Sequence, residues 1–78
     1  MTYKIYSRDG CPYCVKVEQV LQLAKLDYEV YKLGENFSRG EFYEKFGQGS
    51  TFPRVILGEE VLGGCTETVK HLREQKLV

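Results

Sequence analysis

Two cysteines three positions apart, Cys11 and Cys14, stand in the stretch DGCPYCVKV, residues 9–17. A pair at this spacing has three readings: a redox-active dithiol, half of a metal site, or two thiols in a core. The flanking residues discriminate between them. Pro12 suits the first position of a helix, where a missing N–H is not needed. That makes Cys11 the N-cap. Unpaired backbone N–H groups and the helix dipole favour an anion there. A free thiol, with a pKa near 8.5, is only about 3% ionised at pH 7, whereas thiols at helix N-termini ionise at about 3.5–7.5. Cys14 lies one turn on, within reach of the Cys11 sulfur and on the apolar face of the helix. It is expected to be more buried and less ionised. Cys11 is thus the expected nucleophile and Cys14 the resolving thiol. Pro12 stiffens the turn, and Arg8 adds positive potential beside it.

The two competing readings are weaker. Free cysteine often packs as a small hydrophobe, but packing alone requires neither an N-cap position nor Pro12. A structural zinc site takes four ligands. Beyond the pair only Cys65 and His71 remain, at a spacing unlike a zinc knuckle, so no metal is expected. His71 reads as a surface helix residue.

The chain of 78 residues is expected to form one domain across residues 1–78. At this size only about 60–65% of the unfolded chain's surface can be buried. Six tyrosines and four phenylalanines compensate with large burial per residue. Eleven basic and eleven acidic side chains are interspersed, giving zero formal charge. Without a basic cluster, neither nucleic acid nor an anionic membrane is an expected partner. No apolar run approaches the roughly 20 residues of a membrane span. The start, MTYKIYS, lacks a charged segment followed by an apolar one. A cytoplasmic location is therefore expected. Three cysteines are too few, and odd in number, for a secreted disulfide scaffold. In a reducing compartment a close pair is more often catalytic or metal-binding than structural.

The elements that must position the pair alternate. Residues 2–7, TYKIYS, read as a strand. After Asp9-Gly10, a helix is expected from Pro12 to about Lys25, with Val17, Val20, Leu21 and Ala24 at helical spacing. Residues 27–33, DYEVYKL, are a second strand, and the βαβ unit so formed implies parallel pairing. That places Cys11 at the carboxyl end of the first strand, where open α/β sheets hold their ligands. Ser38 and Glu41 have capping-box spacing, and Phe37 and Phe42 fit a hydrophobic staple. That helix should end near Gly47. Residues 53–57, PRVIL, are apolar enough to be buried on both faces. Gly58-Glu59 turns the chain back through residues 60–62. Gly63-Gly64 leads into a last helix from about Thr66 to Lys76. The order is β-α-β-α-β-β-α, a mixed four-stranded sheet with three helices on its two faces.

CPYC at a strand-to-helix junction, then Thr51-Phe52-Pro53, then Gly63-Gly64-Cys65, resembles the dithiol glutaredoxins, in order and separation, over essentially the whole chain. A thioredoxin would carry a tryptophan before a Gly-Pro pair, and this chain has no tryptophan. The resemblance implies the minimal thioredoxin fold. It also implies a glutathione-dependent thiol–disulfide oxidoreductase with no tightly bound cofactor and glutathione as co-substrate. Its partners would be disulfide-containing or glutathionylated proteins, a ribonucleotide reductase being one family substrate, and it would act as a monomer.

Residue by residue, the resemblance implies a cis bond at Pro53, with Phe52 presenting its backbone to an extended thiol peptide, a small case of strand addition. Phe52 replaces the family's usual valine and should make the groove wall bulkier. Gly63 permits close backbone approach. Gly64, Cys65, Thr66 and Glu67 would receive the γ-glutamyl end of glutathione at a helix N-terminus. Thr66 stands where an aspartate is frequent, and Glu67 would substitute for it. Without the ligand, Thr66 is an ordinary helix cap. Arg8 and Gln48 are candidates for the glycyl carboxylate, with Tyr13 and Thr51 lining the groove. Cys65 reads as a non-catalytic thiol open to glutathionylation. Two alternatives remain: a carrier reduced by thioredoxin reductase, and a glutathione-ligated iron–sulfur cluster carrier. Pro12 argues against the second, because cluster-binding family members usually replace that proline.

Overall fold

The computed structural model describes residues 2–76. Four strands and three helices follow in the order β1 (Tyr3–Ser7), α1 (Pro12–Leu23), β2 (Tyr28–Lys32), α2 (Arg39–Phe46), β3 (Arg54–Leu57), β4 (Glu60–Gly63) and α3 (Cys65–Glu74). The sheet order is β2-β1-β3-β4. β1 and β2 are parallel, with Ile5 opposite Val30, as the βαβ unit requires. β3 runs antiparallel to β1 and pairs antiparallel with β4. The sequence-based order and mixed sheet are both found.

Strand alternation in β1 divides the molecule. Tyr3 and Ile5 point to one face and join Val17 and Leu21 of α1, Val55 of β3 and Cys65 and Leu72 of α3 in the core. Tyr6 points to the other face and meets Phe37, Phe46 and Tyr31 at centroid distances of 5.0, 5.0 and 5.4 Å. α2 covers that second face through Phe42, which stacks on Phe52 at 4.2 Å. Val55 and Ile56 are successive residues and both are buried, so β3 is covered on both sides.

Local signals fix the helix ends. Ser38 Oγ accepts from the Glu41 N–H at 3.2 Å, and Glu41 Oε1 accepts from the Ser38 N–H at 2.9 Å, a complete capping box. The Phe37 and Phe42 rings stack at 5.8 Å, as the staple predicts. α1 stops at Leu23, slightly short of the expected end. Lys25 takes a left-handed φ of 58° and the Leu26 N–H bonds back to the Leu21 carbonyl at 3.1 Å. This is a Schellman closure, with lysine where glycine is usual.

Two expectations near α3 are corrected. Gly64, not Thr66, is its N-cap, and Thr66 falls in the first turn. Thr68 is fully buried, and its Oγ1 donates to the Gly64 carbonyl at 2.8 Å. This bond ties the buried Thr68 hydroxyl to the first turn, and Gly64 itself provides no side-chain cap. His71 is half-buried rather than free on the surface, because its ring packs edge-on against Tyr3 at 6.5 Å.

Candidate active site

The turn after β1 is built by Gly10, whose φ of 73° is open to glycine at little cost. It delivers Cys11 in extended conformation to the start of α1. The Cys11 Sγ accepts a hydrogen bond from the Cys14 N–H at 3.3 Å. One of the free N–H groups of the helix end therefore points at the sulfur, as a thiolate there would require. Cys11 and Cys14 are joined as a disulfide, with Cα atoms 5.3 Å apart. Their exposures are 5% and 2%. The order matches the expectation, but the contrast is slight, because the bond ties the Cys11 sulfur down onto the first helical turn. Asp9 ion-pairs with Lys32 at 3.3 Å, linking the turn to the end of β2. Both side chains are well exposed, so the pair contributes little stability.

The segment before β3 reaches the same end of the sheet. The Phe52–Pro53 bond is cis. Arg54 Nε donates to the Thr51 carbonyl at 3.1 Å, which engages Arg54 in holding this loop. Gly64 is the contact point: a Cβ there would lie 3.4 Å from the Pro53 carbonyl oxygen. Gly63 has a φ of 113°, and a Cβ there would come within 2.9 Å of Glu67 Cβ. It sits where the pairing of β3 and β4 shifts register, Val55 facing Gly63 and Ile56 facing Val61.

These segments enclose a shallow groove of about 180 Å³. Tyr13, Thr51, Phe52, Pro53, Gly64, Cys65, Thr66 and Glu67 line it. Eight of the residues selected from the sequence thus share one surface. Arg8 lines an adjoining groove of about 390 Å³ with Arg39, Tyr43 and Ser50, connected through Thr51 and Phe52. Gln48 lies exposed on the loop after α2 and lines neither.

Phe52 lines both grooves and is anchored from behind. Its ring stacks on Phe42 at an interplanar angle of 13°, and the Arg8 guanidinium lies 5.9 Å from its centroid. Arg8 is therefore held against an aromatic face, a cation–π contact. Cys65 is 8% exposed and belongs to the core. Burial pushes its thiol pKa up, Lys16 opposes that rise and Glu67 adds to it. A buried, protonated thiol is a poor target, which counts against Cys65 as a glutathionylation site. Arg39 and Tyr43 carried no signal in the sequence, because only the packing of α2 brings them beside Thr51; Ser50 precedes Thr51 directly. A larger cavity of about 490 Å³, lined by Tyr6, Tyr31, Phe37 and Phe42 among others, lies on the α2 face. Neither it nor the groove beside Pro53 is lined by Cys11 or Cys14 themselves, but the groove includes Tyr13 of the Cys-x-x-Cys turn. Among the described residues, no helix is long and apolar enough to cross a membrane, and no three His, Cys, Asp or Glu side chains cluster as a metal site.

A parallel βαβ unit extended by an antiparallel hairpin, with a Cys-x-x-Cys disulfide at the start of α1 and a cis-proline before β3, defines a thiol–disulfide oxidoreductase of the thioredoxin superfamily. A family model described as Glutaredoxin matches residues 4–62. A glutaredoxin of Pseudomonas aeruginosa is 36% identical over 64 residues, covering 81% of this chain and 75% of its own. The crystal structure of glutaredoxin 1 from Francisella tularensis, complexed with cacodylate, superposes with a TM-score of 0.79 at 30% identity, covering 97% of this chain and 95% of that one. A buckwheat glutaredoxin–glutathione complex superposes with a TM-score of 0.77 at 26% identity, covering 96% and 71%. The chain belongs to the glutaredoxin family.

Proposed function

We propose that this glutaredoxin uses glutathione to reduce glutathione mixed disulfides and protein disulfides. The observation that carries the reading is the groove lined by Tyr13, residues 51–53 and residues 64–67. It offers backbone groups beside Pro53 for an extended thiol peptide and the N-terminal end of α3 for a carboxylate. The buckwheat relative is described with glutathione bound. Thr66 and Glu67 would meet the γ-glutamyl end. Arg8 and the neighbouring Arg39, which line the adjoining groove, would meet the glycyl carboxylate.

The steps follow from the positions of the two sulfurs. With a glutathionylated protein, the Cys11 thiolate attacks the glutathione sulfur. A Cys11–glutathione disulfide forms, and the protein leaves as thiolate and takes up a proton. A second glutathione thiolate attacks the glutathionyl sulfur, forming oxidised glutathione and returning the Cys11 thiolate. With a protein disulfide, Cys11 attacks one sulfur and expels the other as thiolate. Cys14 then attacks Cys11 Sγ, releasing the second protein thiolate and closing the Cys11–Cys14 disulfide. Two glutathiones reopen it, one by attack on Cys11 Sγ and the next on the resulting mixed disulfide. Pro12 keeps the turn rigid through these exchanges.

The test is glutathione-driven reduction of a glutathionylated peptide by the wild type and by Cys14→Ser. Activity in both is expected, since Cys11 suffices for that reaction. Folded protein inactive with glutathione, yet active with thioredoxin reductase, would overturn the glutathione reading.

A further inference from the structure

A second cleft, of about 420 Å³, runs between α1 and α3. Tyr13, Lys16 and Val20 form its α1 wall at spacings of three and four residues, one face of a helix. Val69, Lys70 and Arg73 line it from α3. Three of its lining residues are cations and none is acidic, in a chain whose formal charge is zero. Lys16, Lys70 and Arg73 form no ion pair among the described residues. The cleft shares Tyr13, Cys65 and Thr66 with the groove beside Pro53, so the two are adjacent, on either side of these residues.

We propose that this cleft is a subsite for an acidic stretch of polypeptide flanking the reacting cysteine of a protein substrate. The proposal rests on the reading of the first groove as the seat of an extended thiol peptide. A tripeptide is used up between that groove and the adjoining one lined by Arg8, whereas a polypeptide continues past Thr66 and Tyr13 into the cleft. There Val20 and Val69 supply an apolar floor, and the three cations face carboxylates. Exposed charges of this kind act mainly on encounter and partner choice. The cleft therefore separates protein substrates from glutathione and one protein from another. Lys16 also lowers the Cys65 thiol pKa against burial, in agreement with an ammonium directed into the cleft.

The test uses protein reduced by dithiothreitol, so no glutathione is needed. The probes are two cyclic disulfide peptides, identical except that glutamates flank the cysteines in one and glutamines in the other. Hydroxyethyl disulfide is the small control. The wild type should reduce the glutamate peptide about tenfold faster at low ionic strength, the summed effect of three exposed charge pairs. High salt should erase the preference. The triple variant K16Q/K70Q/R73Q should lose it while reducing the glutamine peptide at the wild-type rate. Equal, measurable rates for the two wild-type reactions would overturn the subsite and leave the first groove standing. A preference that survives the triple variant would also overturn it. Reduction of hydroxyethyl disulfide but of neither peptide would overturn the groove reading together with the subsite. The salt dependence of the wild type decides the matter if the triple variant does not fold.

Discussion

Replacing Gly63 with alanine isolates what holds the groove together. Gly63 has a φ of 113°, where side-chain-bearing residues are strained, at a cost of about 1–3 kcal/mol. Its new Cβ would also meet Glu67 Cβ at 2.9 Å and Cγ at 3.0 Å. The Cβ is fixed to the first turn of α3 and cannot rotate away, so the helix must shift, adding about 1–3 kcal/mol for overpacking. The sum is about 2–6 kcal/mol. A domain of this length is worth about 4–12 kcal/mol in all, and each kcal/mol moves Tm by about 4–8 °C. Two glycines serve as comparisons. Gly10 has a φ of 73° with nothing within 4 Å of a Cβ, so Gly10→Ala carries only the conformational term. Gly64 has an ordinary φ of −91°, and its Cβ would touch the Pro53 carbonyl at 3.4 Å. Gly64→Ala should cost little stability but place a methyl in the groove and raise the KM for glutathione. Urea unfolding of the three variants reads the ranking. Gly63→Ala no less stable than Gly10→Ala would refute the steric reasoning.

Other consequences are as direct. Phe42 is 1% exposed and touches Phe37, Tyr43, Phe46 and Phe52, so Phe42→Ala should cost about 3–5 kcal/mol in urea unfolding. Because it also strips the stacking partner from Phe52, the variant should lose activity under conditions where it is still folded. Burial raises the pKa of the Cys65 thiol and of the Tyr3 phenol. The folded state therefore holds these protons more tightly than the unfolded chain. That contribution is fully present at neutral pH and is lost as pH climbs from about 8.5 through the raised values. Unfolding free energy should decline across the alkaline range, and native Cys65 should resist alkylation at pH 8 while the unfolded chain reacts. Flat stability between pH 8 and 10 with ready alkylation would contradict the burial of Cys65.

The parts of the molecule that were legible in the sequence rest on short-range physics. The Ser38–Glu41 capping box, the Phe37–Phe42 staple, the Pro12 helix start and the N-cap role of Cys11 each depend on residues within a few positions of one another. The spacing of Val17 and Leu21 gave the buried face of α1 for the same reason. What could not be read depends on contacts across the chain. The direction of the Phe52 ring is decided by Phe42, which stacks on it from α2. The burial of Cys65 follows from α3 packing onto α1 and the sheet. The edge contact of His71 needs Tyr3, at the other end of the chain. α3 starts at Gly64 with no capping side chain, so no residue type preceding the helix marks its start. Gln48 has the amide a carboxylate site could use, but its place depends on the loop after α2, where it is exposed and lines neither groove.

The most direct test of the central claim uses Cys14→Ser. The reduced variant is mixed with oxidised glutathione, and intact mass and peptide mapping locate the product. A single glutathione on Cys11, with Cys65 unmodified, is the predicted result. A glutathione on Cys65 instead, or no adduct on folded protein, would contradict the assignment of Cys11 as the thiol that exchanges with glutathione.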